Sequence, residues 1–172
     1  MNIDDILEKA TDPCTPPEEL HQIYIQHKTR GYKRQVIEAI GSNPNTSTEL
    51  LEYFFTQEPN MADVVFNNFV MPLLLLENPL LVTNWFIQHH NSIFRYNKLL
   101  SIELQEIALK TERIEIYVHL AQCKNTAPSI LESIAKRINI NKYAKTNSSI
   151  ITNILKHPNA PESITNLRFQ II

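Results

Sequence analysis

Glu115, His119 and Cys123 follow one another at intervals of four residues. On an α-helix that spacing brings three side chains to one face, and carboxylate, imidazole and thiolate are all zinc ligands. This trio is the strongest candidate for chemistry in the chain. It has a plainer reading. By repeat position His119 stands where Ala39 stands and Cys123 where Asn43 stands, which makes them a packed histidine and a corner cysteine. His89 and His90 are adjacent, so on a helix they point about 100° apart and seldom share one metal. G-x-S-x-G, Walker-type, H-E-x-x-H and C-x-x-C motifs are absent from the sequence. The carboxylate pairs Asp4-Asp5 and Glu18-Glu19 fall at expected helix starts, where they complement the helix dipole. The expectation is a non-enzyme with no catalytic residue, no cofactor and no metal.

Two further groups could touch a ligand. Lys28, Arg30, Lys33 and Arg34 surround Gly31 in an expected turn, as a phosphate-binding edge or, more commonly, as solvated turn charges. Tyr53, Phe54, Phe55, Phe66, Phe69, Trp85 and Phe86 could stack nucleic-acid bases, but most lie on apolar stripes and read as core.

Composition narrows the setting. With 43% hydrophobic and 20% charged residues, 172 residues suit one ordered domain. Gly31 and Gly41 are the only glycines, which disfavours phosphate-cradling loops and tight hairpins. A formal net charge of −2 supplies no global pull toward nucleic acid or anionic lipid. The acidic start has no secretory pattern, so Cys14 and Cys123 are expected to be reduced thiols in a cytoplasm. The apolar stretch from Val64 to Ile87 carries Asn67, Asn68, Glu77, Asn78 and Asn84, too polar for a membrane span.

The elements that must position these residues show a repeat. Val36 to Thr46 ends in Gly41-Ser42-Asn43-Pro44-Asn45-Thr46; Ile116 to Thr126 ends in Cys123-Lys124-Asn125-Thr126; Ile150 to Ala160 ends in His157-Pro158-Asn159-Ala160. Asp12-Pro13-Cys14-Thr15 is a partial copy, and Asn78-Pro79 marks a degenerate one. Each reads as an apolar helix, a corner and a second amphipathic helix. Asparagine tolerates the left-handed conformation at a helix end, and the proline after it stops the helix. Thr15 and Thr46 read as N-caps, each with a glutamate three residues on (Glu18 and Glu49) as a capping box. Pro16 is expected at the first helical position. Thr126 has Ser129 instead, so its box is incomplete. The periodicity predicts helices over roughly 2–10, 16–28, 33–42, 47–57, 61–76, 79–91, 99–110, 112–122, 127–138, 147–156 and 161–171, and no sheet. The fold class expected is all-α, an α-solenoid of stacked hairpins with about five degenerate repeats in a single domain.

Leu104-Gln105-Glu106-Ile107-Ala108, Tyr117-Val118-His119-Leu120-Ala121 and Asn125-Thr126-Ala127-Pro128 resemble the bacterial leucine-rich repeat variant, a helical solenoid. The corners at Asn43-Pro44 and His157-Pro158 carry the same mark, so the resemblance covers roughly residues 10–60 and 98–172. The spacing departs from it. Thr15 to Thr46 is 31 residues and Thr126 to Ala160 is 34, long enough for two α-helices per unit as in HEAT-type stacking. The resemblance implies architecture and no functional residue; with only Cys14 near the start, the family's occasional cysteine cluster is missing.

A protein-binding scaffold for a partner of unknown identity is the expected function, with Tyr32, Arg34, Tyr53, Arg95, Tyr96 and Tyr143 as contacts, because tyrosine and arginine are enriched at binding hot spots. One alternative is a nucleic-acid-binding stack, which needs Lys28, Arg30, Lys33, Arg34, Lys136, Arg137, Lys142 and Lys145 to converge. Another is a toxin-neutralising or regulatory inhibitor. The apolar end, Leu167 to Ile172, suits either a cap or a contact.

Overall fold

The computed structural model describes residues 2–138 and 144–165, and every regular element among them is a helix. The chain divides into two compact units, Met1–Leu81 and Val82–Ile172.

The first unit holds α1 (Ile3–Thr11), α2 (Pro17–His27), α3 (Lys33–Ser42), α4 (Thr48–Gln57), α5 (Ala62–Phe66) and α6 (Met71–Glu77). Helix α3 is its hub, packing on α1, α2, α4 and α5. Ile6, Leu20, Ile40, Leu51, Phe54 and Phe55 are fully buried around it, each worth roughly 1.5–3 kcal/mol of transfer free energy. Gly41 sits where a β-carbon would come within 2.7 Å of the Met61 methyl, so its bareness lets α5 close on α3. Asn2 and Asp5 form a reciprocal capping box on α1, and Ser47 caps α4 through the Leu50 amide.

The second unit holds α7 (Leu81–Tyr96, whose first residue closes the first unit), α8 (Ile102–Lys110), α9 (Ile114–Gln122), α10 (Pro128–Arg137), α11 (Ala144–Lys156) and α12 (Glu162–Thr165). Helices α8, α9 and α10 pack on one another, and α11 lies against α9 and α10. Phe86, Ile93, Leu104, Ile116, Leu120 and Leu131 form its core. At His89 (φ −123°, ψ 16°) the backbone of α7 leaves helical geometry and the helix kinks.

The corners are the repeated device. Thr15, Thr46 and Thr126 each donate the hydroxyl to a carbonyl six residues back: Lys9 at 2.6 Å, Ile40 at 2.5 Å and Leu120 at 2.6 Å. They clamp the helix before the corner and do not cap the helix after it. The expected capping boxes with Glu18 and Glu49 are therefore overturned. The N-cap residues are Pro16, Ser47 and Ala127, and the prolines inside the first turns are Pro17 and Pro128.

A second layer of bonds joins corner to corner. Asn43 Nδ2 donates to the carbonyls of Ala10 and Asp12 at 2.9 and 2.8 Å, while its Oδ1 accepts the Asn45 amide at 2.9 Å. Asn45 Nδ2 reaches Pro13 O at 2.7 Å. Asn68 repeats the pattern, donating to Gly41 O and Asn43 O at 2.8 and 2.9 Å and accepting from the Val70 amide. The helix expected over 61–76 is accordingly broken at Asn67–Val70 into α5 and α6, because Asn68 serves as another corner. The helix expected over 79–91 runs on to Tyr96 beyond its kink. The other described helices fall within about three residues of expectation; what was expected beyond residue 165 lies outside the described residues.

Candidate binding cleft

Helix α9 carries the spaced trio, but the three residues diverge in role. Glu115 is exposed. Cys123 is the C-cap of α9, half-buried, and burial holds its thiol above its usual range against the opposing Lys98 charge. His119 stacks its ring on Phe94 (centroids 4.9 Å apart, planes 12° apart) and meets His90 at 5.7 Å. Its Nε2 lies 3.1 Å from Asn91 Oδ1, an atom that only accepts, so Nε2 carries the proton. Burial first, and then the His90 charge, lower the His119 pKa. No group of three His, Cys, Asp or Glu side chains among the described residues is placed to hold a metal ion.

His119 and Cys123 instead line an open cleft of about 820 Å³. One wall is the second half of α7, with Asn91, Phe94 and Arg95, followed by Lys98 and Leu99. The opposite wall is the end of α9 and its corner: His119, Gln122, Cys123 and Lys124. The kink at His89 sets the direction of the first wall, and Asn159 fixes the second by donating to Lys124 O and Thr126 O at 3.4 and 3.0 Å. Among the described residues, three cations line this cleft and no carboxylate does. Leu99, 67% exposed, is its apolar outcrop.

Of the expected contacts, only Arg95 is in this cleft. Tyr96 is half-buried beside it in sequence and does not line it. Tyr143 lies outside the described residues. In the first unit Tyr32 is half-buried, with its hydroxyl 3.1 Å from His27 Nδ1. Arg34 is engaged by Glu38 at 2.5 Å and by the carbonyls of Pro59 and Asn60, so it ties α3 to the corner after α4. Tyr53, 42% exposed, borders a separate groove of about 330 Å³ with Tyr24 and Lys28. Gln122, Lys124, Lys98 and Leu99 were not anticipated; they come from separate segments and carry no shared local pattern.

Elsewhere Lys9, Lys33, Arg34, Lys136 and Arg137 are matched, while Lys28, Arg30, Lys110, Arg113 and Lys156 make no ion pair among the described residues. Lys33 meets the buried Glu58 at 2.9 Å, and Glu58 also accepts the Tyr24 hydroxyl at 3.1 Å. Burial, then the Tyr53 hydrogen bond and the Glu58 charge, push the Tyr24 hydroxyl far above its usual range. Lys136 pairs with Glu132 at 3.0 Å and Arg137 with Glu112 at 3.7 Å. Four of the eight cations expected to converge on nucleic acid thus face carboxylates; Lys142 and the Lys145 side chain lie outside what is described. Among the candidate stacking aromatics, Phe54, Phe55, Trp85 and Phe86 are buried, while Phe69 is 86% exposed. No described helix is long and apolar enough to cross a membrane. No protein-family model, curated protein or solved structure matches the chain.

Proposed function

We propose that the chain is a non-catalytic protein-binding scaffold, a short helical solenoid of about five degenerate repeats, and that the cleft beside α9 is where its partner sits. The solenoid reading rests on the corners. In the first unit the bonds from Asn43 and Asn45 run back 30 to 33 residues, to Ala10, Asp12, Pro13 and Thr15. In the second, the bonds from His157 and Asn159 run back 33 to 35 residues, to Cys123, Lys124 and Thr126. Two hairpins a fixed distance apart, tied carbonyl to amide, are the mechanical unit of such a stack, and the resemblance to the leucine-rich repeat variant agrees with it.

The observation that carries the binding role is the cleft itself. It gathers Arg95, Lys98 and Lys124 with an exposed Leu99, and the corner bond at Lys124 uses its backbone carbonyl, not its side chain. Side chains there are able to vary without loosening the buried seams. A photo-crosslinking residue placed at exposed Gln122, on the cleft wall, should yield one discrete adduct in cells that express the protein. The same residue at exposed Glu106 of α8, outside the cleft, should yield none. Equal labelling from both positions, or from neither, would refute the reading.

A further inference from the structure

We infer that the cleft takes an acidic peptide segment of the partner, one with an aliphatic side chain set among its carboxylates. This rests on the scaffold reading and narrows it to one ligand chemistry.

Charge is the first argument. The cleft holds Arg95, Lys98 and Lys124 and, among the described residues, no lining carboxylate, in a chain whose formal net charge is −2. Arg95 and Lys124 are exposed and make no ion pair among the described residues, whereas Lys33, Arg34, Lys136 and Arg137 are each matched. What sets the cleft apart is that Arg95, Lys98 and Lys124 line one concavity, whose low-dielectric wall focuses their potential.

The apolar surface is the second argument, and it selects among anions. Phe94 is only 5% exposed, with one ring face covered by His119, so it cannot receive a nucleobase. The apolar contact on offer is Leu99, an aliphatic chain at 67% exposure. A phosphate or a polynucleotide would leave it in water; a leucine or isoleucine between two acidic residues would cover it. The third argument is polar. Gln122 places its side-chain amide on one wall, and Asn91, whose Oδ1 is held by His119, offers Nδ2 from the other, groups suited to an extended backbone. A volume of about 820 Å³ is ample for a few residues of such a strand.

Fluorescence anisotropy with a short labelled peptide of Asp and Glu around a central Leu tests this. Binding should weaken about tenfold in the double variant Arg95→Glu/Lys124→Glu, less in Arg95→Gln/Lys124→Gln, and not in Lys110→Glu, which lies outside the cleft. Replacing the peptide's Leu by Ser should weaken it about fivefold, and salt should weaken it throughout. The glutamine pair keeps the result readable if charge reversal disturbs folding. No binding by the acidic peptide, binding that both cleft variants leave intact, or tighter binding of a single-stranded oligonucleotide would each overturn the inference. If the peptide fails while the Gln122 cross-link persists, the acidic ligand is wrong and the scaffold reading stands; if both fail, both fall.

Discussion

The corner after α3 and the corner after α11 do the same work with different side chains. In the first unit Asn43 accepts the amide two residues on with Oδ1 and donates through Nδ2 to the corner before it. In the second, His157 accepts the Asn159 amide at Nδ1 (3.0 Å) and donates through Nε2 to Cys123 O at 2.7 Å. Imidazole and carboxamide share the essential feature, an acceptor and a donor held on opposite sides of a small plane. The middle corner differs from both. There Cys123 occupies the asparagine position, and Gln105 from α8 bridges Leu100 O, Asn125 O and the Ala127 amide. What recurs is the pattern of backbone groups to be satisfied, and several side chains satisfy it.

That comparison sets an order of effects. Asn43→Ala should cost most, about 3 kcal/mol, since it orphans buried carbonyls and an amide at a residue only 2% exposed. Native-state hydrogen exchange should show the loss across α3 and α4 amides. His157→Ala, a residue 8% exposed with one donor bond fewer, should cost about 1.5 kcal/mol by denaturant unfolding, and His157→Asn should recover most of it. A His157→Asn variant as unstable as the alanine would end the equivalence.

The left-handed corner residues offer a smaller contrast. Asn60 and Glu112 both have φ of 56°, a conformation that costs asparagine less than glutamate. Glu112→Asn should therefore stabilise by about 0.5–1 kcal/mol, less whatever the exposed Arg137 pair contributes. The smallest effect is the pH response of His119. Its folded pKa lies below the ordinary 6.5, so both states are neutral above that value and its contribution is whole. As pH falls from 6.5 through the lowered pKa, the unfolded chain binds the proton more readily and stability declines. Wild type should lose more stability than His119→Gln over that window.

Much of the fold was legible because corners are built from residues with narrow tolerances. Asn43-Pro44 and His157-Pro158 located two of them. The threonines were misread because a hydroxyl both donates and accepts. Thr46 before an apolar run looks the same whether it caps forward or clamps backward, and only the Ile40 carbonyl decides it. Asn68 escaped notice because no proline follows it and apolar residues flank it on both sides. The cleft was least legible. Arg95 was anticipated on residue type alone, whereas Lys98, Leu99 and Lys124 meet through a kink at a histidine and a corner bond to Asn159.

If the corners hold the fold and the cleft holds the partner, the two are separable. The decisive measurement is thermal unfolding and Gln122 cross-linking on one protein, the double variant Arg95→Glu/Lys124→Glu. A midpoint within about 2 °C of wild type together with loss of the adduct is the predicted result. An adduct that survives, or one lost only along with a fall of about 5 °C or more, would contradict it.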